Sequence, residues 1–490
     1  MAIQKPSIPK GTRDFGPEEV AKRKYILNTI EKVFIKYGFM PIETPTMENL
    51  TTLQGKYGDE GDQLLFKVLN SGDYLKELKE ENDKGLAHEE RDKTFLPSYS
   101  GKLSDLDHKA ATPFISEKGL RYDLTVPFAR YVVMHQNEIT FPFRRYQMQP
   151  VWRADRPQKG RYREFWQCDA DVVGSDSLLN EVDLTNIYLE VFKQLNIKVK
   201  VKINHRKILE GMAEYFNCLN RFNEFVPIID KIDKIGYAGV ITELEKNGFT
   251  NDQNRQHFDK VELSYFSEGI QQNYKKWEEQ LDRLEDLFSR INPTSIIGKE
   301  GVEELRNVLK YFKPNEDSIE IYGNLARGLS YYTGTVWEVV VENNGALQSS
   351  IGGGGRYDNL TGIFGLPNVS GVGISFGVDR IYDVMEELKL FPPTLNQFTT
   401  KILFCCFDDK AINFALPLLK KVRDAGIASE IYPAAVKMKK QLDYANDKKI
   451  PFACIIGDNE MQSGKLVLKD LNSGIQVEKT IEEIINEIKK

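Results

Sequence analysis

Long apolar runs are missing from this chain of 490 residues. No stretch approaches the roughly 18 apolar residues that a membrane-spanning helix needs. Residues 1–10 also lack the apolar core of a secretory signal peptide. The sequence therefore predicts neither a membrane span nor a secretory leader, and we expect a cytoplasmic protein without a membrane partner.

Cysteine is scarce as well, with five residues scattered along the chain. No two of them have CxxC spacing, and an odd, scattered set is typical of buried thiols in a reducing compartment. Zinc sites need clustered cysteine and histidine ligands, and that spacing is absent here. We therefore predict no metal site held by the protein itself.

The common nucleotide-binding loops are also absent. There is no GxxxxGK[ST] phosphate loop, and no GxGxxG segment lies between a strand and a helix. The formal net charge of -6 argues against a uniformly basic nucleic-acid-binding protein, although a local basic patch remains compatible with it. Hydrophobic residues at 41% and charged residues at 28% are typical of a soluble globular protein.

Hydrophobic periodicity divides the chain into segments, and its length suits about two to four domains. We expect a core at 1–204 that contains a charged insertion at 67–118. A helical segment follows at 205–317, and a second core segment at 318–390. A proline-containing linker at 391–400 then leads to an α/β module at 401–490, where strand and helix patterns alternate.

Two strand-like runs, 144–154 and 163–173, sort their side chains onto opposite faces. The polar face of the first run carries Gln147, Gln149 and Arg153, and that of the second carries Arg163, Gln167, Asp169 and Asp171. The loop between them is rich in basic residues that suit polyphosphate or an RNA backbone, namely Arg156, Lys159, Arg161 and Arg163. A sheet with one hydrated face is the alternative interpretation.

Two later segments combine arginine with small residues. Leu325–Thr335 contains Arg327 and two adjacent tyrosines, whose hydroxyl groups can bind a polar ligand ring. Gly371–Arg380 reads as a strand entering a helix, with Arg380 in the first helical turn near the positive end of the helix dipole. The alternative for Leu325–Thr335 is an aromatic core strand, and the alternative for Arg380 is a surface arginine. Between these segments, the glycine run 352–355 predicts a turn.

Together these segments resemble the class II aminoacyl-tRNA synthetases, and specifically the histidyl-tRNA synthetase family, over nearly the whole chain. Tyr37–Pro45, Val151–Asp171 and Gly371–Arg380 look like class motifs 1, 2 and 3. Leu325–Thr335 and Ser350–Asn359 look like the two segments specific to histidyl enzymes. The resemblance implies an α+β fold: a catalytic domain built on an antiparallel β-sheet flanked by helices, a helical insertion domain and a C-terminal α/β anticodon-binding domain.

The resemblance also implies an activity. ATP would activate L-histidine to histidyl-adenylate with release of pyrophosphate, and histidine would then pass to the 3'-terminal ribose of its tRNA. Magnesium would be bound with ATP. The partners would be histidine, ATP, histidine tRNA and a second copy of the chain in a homodimer.

Site residues follow from the matching positions. Histidine binding is implied for Asp123, Leu124, Thr125, Arg153, Gln167, Asp171, Arg327, Tyr331 and Tyr332. Within that set, Asp123, Thr125 and Gln167 would hold the α-ammonium group, and Asp171 and Tyr332 the imidazole. ATP binding is implied for Arg153, Arg161, Arg163 and Arg380, and catalysis for Arg153 and Arg327.

Departures and rival functions also follow from the resemblance. Ser330 replaces the usual aspartate, and Asp155 stands where class II enzymes often carry glutamate.

One rival function is that of a non-catalytic paralogue, either a regulatory subunit in histidine biosynthesis or an uncharged-tRNA sensor beside a kinase. The arginines at 153, 327 and 380 and the complete tail argue against it. Another class II synthetase is the second rival, and the 327–335 segment argues against that.

Overall fold

The structure is a computed structural model that describes residues 5–78, 80, 108–216, 218–249, 277–291, 296–312, 318–326, 331–342, 350–393, 395 and 400–489. The chain divides into two compact units. The first comprises Met1–Phe15 and Lys22–Leu390, and the second comprises Gly16–Ala21 and Phe391–Lys490.

The strands, numbered along the chain, belong to three sheets. The first unit contains β1 (Met40–Pro41), β2 (Met47–Asn49), β3 (Lys67–Val68), β4 (Lys118–Leu120), β5 (Phe143–Trp152), β6 (Glu164–Val173), β7 (Val199–His205), β8 (Ile319–Ile321), β9 (Thr335–Val341), β10 (Gly352–Arg356) and β11 (Gly371–Gly377). The second unit contains β12 (Ile402–Cys406), β13 (Ser429–Ile431), β14 (Phe452–Ile456), β15 (Leu466–Asp470) and β16 (Gln476–Lys479).

The helices are numbered in the same way. They begin with α1 (Pro17–Lys36), α2 (Leu50–Leu53), α3 (Gly58–Gln63), α4 (His108–Ile115), α5 (Thr125–Met134) and α6 (Leu179–Gln194). The helical segment contains α7 (Arg206–Tyr215), α8 (Phe222–Ile229), α9 (Ile232–Lys246), α10 (Trp277–Ile291) and α11 (Ile297–Leu309). Motif 3 and the tail contain α12 (Val378–Glu387), α13 (Asp409–Asp424), α14 (Met438–Asp447), α15 (Asp458–Ser463) and α16 (Ile481–Ile488).

An eight-stranded sheet forms the centre of the first unit, in the order β1-β5-β6-β11-β10-β9-β7-β8. Its interior pairings are antiparallel, and one parallel pairing lies at each edge. Helix α6 packs on this sheet: the indole of Trp337 donates to Thr185 Oγ1 at 3.1 Å, and Tyr188 lies 4.9 Å from the ring of Phe376. The expected α+β fold on an antiparallel sheet is confirmed, with those parallel edges added.

The predicted turn at 352–355 is wrong, because these glycines form the interior strand β10. Their neighbours approach too closely for side chains. A Cβ on Gly354 would lie 2.1 Å from the carbonyl oxygen of Gly373, and one on Gly355 would lie 2.6 Å from Cδ1 of Tyr332. Glycine is present here for close packing of backbone and aromatic rings rather than for chain reversal.

Residues 318–342 open the second core segment that was predicted at 318–390. The described residues there form two short strands, β8 and β9, with turn and irregular backbone between them. Arg327 and Ser330 lie outside the described residues. Most of the charged insertion at 67–118 lies outside them too, and its described ends form β3, α4 and the start of β4.

The second unit is built on a five-stranded sheet in the order β13-β12-β14-β15-β16. The three strands β13, β12 and β14 are parallel, as alternating strands and helices predict, and β15 and β16 complete the sheet by antiparallel pairing. Helix α15 and strand β16 were not evident from the sequence pattern. None of the helices in the described part of the chain is long and apolar enough to cross a membrane.

The glycines of β10 provide a test of this packing. Gly354→Ala should lower the free energy of unfolding by about 1–3 kcal/mol, because the added methyl group meets fixed backbone of β11. Gly362→Ala is the matched control, since its Cβ would lie 3.6 Å from Pro367, at ordinary contact distance. Urea unfolding of both variants measures the difference, and equal stabilities would contradict the close approach in β10.

Candidate functional site

One cavity of about 290 Å³ opens beside the polar face of strands β6 and β11. Residues predicted from the sequence contribute much of its wall: Asp123, Thr125, Arg153, Arg161, Gln167, Tyr331, Tyr332 and Arg380 all line it. Three predicted residues of the described chain, Leu124, Arg163 and Asp171, do not. The cavity therefore brings predicted carboxylate, tyrosine and arginine side chains into one space.

Asp123 is held in a buried hydrogen-bond network beside the cavity. Its Oδ1 accepts from the Tyr57 hydroxyl at 3.0 Å and from the amide of Val126 at 3.2 Å. Its Oδ2 accepts from the Tyr331 hydroxyl at 3.2 Å. Burial raises the pKa of this carboxyl group, although the hydrogen bonds and the nearby Arg153 oppose the shift. These donors fix the orientation of the carboxylate and favour its charged form.

Leu124 and Arg163 contact other parts of the protein and do not line the cavity. Leu124 is fully buried at the start of α5, and its carbonyl accepts from Arg145 Nη2 at 3.2 Å. The guanidinium of Arg163 donates to the carbonyl groups of Asp155 and Lys10, at 3.1 and 3.4 Å. Arg163 therefore ties the motif 2 hairpin to the segment near the N-terminus and lies outside the cavity wall.

Asp171 lies beneath the cavity rather than in its wall. Its Oδ2 forms an ion pair of 2.8 Å with Arg145, a fully buried arginine, and its Oδ1 accepts from the Tyr357 hydroxyl at 2.5 Å. Burial raises the pKa of Asp171, and Arg145 opposes that shift. In this structure the carboxylate is occupied by side chains of the protein itself.

Two arginines of the cavity wall are oriented by backbone carbonyl groups. Arg153 Nε donates to the Tyr122 carbonyl at 3.1 Å, and its guanidinium lies 4.3 Å above the ring of Tyr122. Arg380 donates to the carbonyl groups of Gly160 and Ser350, at 2.8 and 2.7 Å. These contacts fix the direction in which each guanidinium presents its donors.

Arg161 is more open. It lies on the short connection between β5 and β6, where backbone bonds join it to Gln158. Its closest described ion pair is a distant contact of 3.9 Å to Asp155, and its side chain is 49% exposed. An exposed contact at this distance contributes little to stability, so Arg161 can reorient toward an anion.

The structure also adds wall residues that the sequence reasoning did not assign. Gln167 Nε2 donates to Ser375 Oγ at 2.9 Å, and the Ser375 hydroxyl donates to the carboxyl group of Asp169. Burial raises the pKa of Asp169 to about 8; Arg145 opposes the shift and Asp171 adds to it. Strand alternation had placed Asp169 between Gln167 and Asp171 on the polar face, so a signal for it was present.

Asp379, next to Arg380, is a second unassigned wall residue. Arg13 and Arg23 both donate to its Oδ1, and the amide of Trp166 donates to its Oδ2 at 2.8 Å. This cluster joins the N-terminal segment, the motif 2 hairpin and the start of α12. It holds the helix that carries Arg380 against the cavity.

Comparison with known proteins gives a consistent result. A family model described as histidyl-tRNA synthetase matches residues 116–381, and one described as anticodon binding domain matches residues 399–490. Curated histidine–tRNA ligases of Cytophaga hutchinsonii and Phocaeicola vulgatus are 49% and 51% identical over 99% of this chain, covering 100% and 99% of their own lengths. The crystal structure of histidyl-tRNA synthetase from Nostoc sp. PCC 7120 superposes with a TM-score of 0.74 at 31% identity, covering 99% of this chain and 98% of that one.

The chain belongs to the histidyl-tRNA synthetase family. It is accordingly an ATP-dependent aminoacyl-tRNA ligase, and the histidine–tRNA ligase function expected from the sequence is confirmed. The matches run through both units, so they include the C-terminal α/β module as well as the first unit.

Arginine side chains supply the positive charge of the described cavity wall. Among the described residues, no group of three histidine, cysteine, aspartate or glutamate side chains could hold a metal ion. The five cysteines are all free and buried, and burial raises the thiol pKa of each. The basic residues among those that line the cavity are Arg153, Arg161 and Arg380.

The ion pair beneath the cavity gives a stability prediction. Asp171→Ala should lower the free energy of unfolding by about 3–5 kcal/mol, because it leaves the buried Arg145 without its carboxylate. The partly exposed pair Arg144–Asp183, also 2.8 Å long, supplies the control: Asp183→Ala should cost about 0–1 kcal/mol. Denaturant unfolding of both variants tests this. Similar losses of unfolding free energy would show that burial does not increase the contribution of the Arg145–Asp171 pair.

Proposed function

We propose that the cavity is where L-histidine and ATP meet and where histidyl-adenylate forms. The observation that carries this proposal is the composition of one wall, which combines buried carboxyl groups with three arginines. An amino acid presents a cation and a carboxylate, and ATP presents a polyanion. A single cavity with both kinds of partner suits joining them.

At the histidine end, Asp123, Thr125 and Gln167 would hold the α-ammonium group through charge-assisted hydrogen bonds. Tyr332 would contact the imidazole, and Tyr331 would hold Asp123 in place. Asp171 would bind the imidazole after releasing one of its present partners, Arg145 or Tyr357. Neutral imidazole offers one donor and one acceptor, which a carboxylate and a tyrosine hydroxyl match.

At the ATP end, Arg153 would bind the α-phosphate together with the carboxylate of histidine. Arg380 would bind the γ-phosphate, and Arg161 would assist it. Arg163 is the weaker candidate because its guanidinium is engaged by two carbonyl groups outside the cavity wall. Catalysis would then depend on holding the carboxylate in line with the α-phosphate and on stabilising the developing charge.

Magnesium would enter as part of the MgATP substrate and would offset part of the charge of its phosphates. The C-terminal module would bind the anticodon region of histidine tRNA, and the 3'-terminal ribose would receive histidine at the cavity. We also infer a cytoplasmic homodimer that pairs through motif 1. Two exposed methionines lie on either side of Pro45 in the sequence: Met40 is 54% exposed and Met47 is 51% exposed, as expected for a surface that meets a partner.

The reaction itself is tested by ATP–pyrophosphate exchange with the purified chain. We expect exchange that depends on L-histidine and is absent with other amino acids, because the wall combines ammonium acceptors with tyrosines suited to a polar ring. Charging of histidine tRNA by the same preparation tests the second step. Exchange driven equally well by an unrelated amino acid would contradict the proposed specificity.

Arg327 is a separate proposal that rests on the family resemblance. In that family the matching arginine binds the α-phosphate where other class II enzymes place a metal ion. Arg327→Lys keeps the charge but loses the planar fork of donors. We expect it to slow adenylate formation by about a thousandfold while changing histidine and ATP affinities much less. Single-turnover kinetics on folded protein measures this. A rate near that of the unaltered protein, with lowered thermal stability, would instead indicate a structural role.

A further inference from the structure

Two buried acceptor atoms beside the cavity have no hydrogen-bond donor among the described residues. They are Oε1 of Gln167 and Oδ1 of Asp169. Both residues line the cavity, and Asp169 is only 2% exposed. Leaving a buried acceptor without a donor is destabilising, so two of them on one face of the same strand indicate a ligand that donates.

Ser375 orients both acceptors. Its oxygen accepts from Gln167 Nε2 at 2.9 Å, which directs Gln167 Oε1 away from Ser375. Its hydroxyl hydrogen is donated to the carboxyl group of Asp169. Ser375 lies opposite Asp169 in the pairing of β11 with β6, so backbone hydrogen bonds fix the positions of all three residues. The acceptors are therefore preorganised.

The charges around Asp169 favour a cationic donor. The groups that face it are Arg145 from β5, Asp171 from its own strand, Ser375 from β11 and Asp123 from the segment before α5. Arg145 is already paired with Asp171 at 2.8 Å. Burial and the neighbouring carboxylates raise the pKa of Asp169, which means that its surroundings disfavour its negative charge. A bound cation would remove that penalty.

We infer that Asp169 is a further substrate-binding residue, which accepts a hydrogen bond from the α-ammonium group of the amino acid together with Gln167 and Asp123. The inference rests on the proposed function. An ammonium group offers three donors, which Asp123, Gln167 and Asp169 would accept, and Thr125 would then contact the group without accepting from it. Neutral imidazole offers a single donor and would leave at least one of the two oriented acceptors unpaired.

The test compares ligands with and without the amine. Asp169→Asn keeps the size of the side chain and removes its charge. We expect it to weaken binding of L-histidine and of histidinol by about tenfold to a hundredfold, the range for a lost charge-assisted hydrogen bond. Binding of 3-(imidazol-4-yl)propionate, which lacks the amine, should change by less than about threefold. Calorimetry gives the first two affinities, and competition against histidine gives the third.

Two further variants complete the design. Glu164→Gln removes a carboxylate at the exposed start of the same strand, where it accepts from Trp152 Nε1, and should leave all three affinities unchanged. Ser375→Ala removes the group that orients both acceptors, and should weaken histidine and histidinol several-fold with the same selectivity. It also provides the test if Asp169→Asn does not fold.

The outcomes separate the inference from the function on which it rests. If Asp169→Asn weakens all three ligands equally, Asp169 contacts the imidazole or supports the wall, and the inference is overturned. Unchanged affinities for histidine and histidinol would also overturn it. Failure of the proposed function has a different result, because the unaltered protein would then show no histidine-dependent ATP–pyrophosphate exchange.

Discussion

The buried ion pair between Arg145 and Asp171 organises the catalytic unit. The two residues lie directly opposite each other on β5 and β6, so their pairing specifies the register of the hairpin. Arg145 also donates to the carbonyl of Leu124, next to Asp123, and Asp171 accepts from Tyr357 beyond β10. A slip of one residue would separate the charges and turn the polar face of β6 away from the cavity.

Burying an ion pair costs solvation energy that can exceed its Coulomb attraction, so the register that this pair specifies matters as well as any net stabilisation. Three carboxyl groups, those of Asp123, Asp169 and Asp171, are buried around the same region, and Arg145 is the fully buried cation among them. The resulting environment favours a cationic ligand at that end of the cavity. Stability and recognition therefore depend on the same charges.

Two kinds of partner hold arginines in the described part of the first unit. Arg13, Arg23 and Arg356 are paired with carboxylates and fasten segments together. Arg153 and Arg380 donate to backbone carbonyl groups, and the guanidinium of Arg153 also lies over the face of an aromatic ring. Both types of contact fix the direction of the guanidinium.

The sequence by itself determined the fold class, the two strands of motif 2, the alternation that gives β6 one polar face, and the family. The strands and the alternation follow from period-two patterning, which is a property of short segments. The fold class and the family follow from the resemblance of motifs 1 to 3 and of the two histidyl segments to those of a known family. Only the tertiary structure decided that the glycines 352–355 form an interior strand, that Asp171 is paired with Arg145 outside the cavity wall, and that Arg163 lies outside that wall. It also decided that Asp169 lies in the wall with an acceptor aligned by Ser375. Each of these depends on contacts between residues far apart in the chain, where steric exclusion and burial of charge act between strands, and alternation along one strand carries no information about what lies opposite.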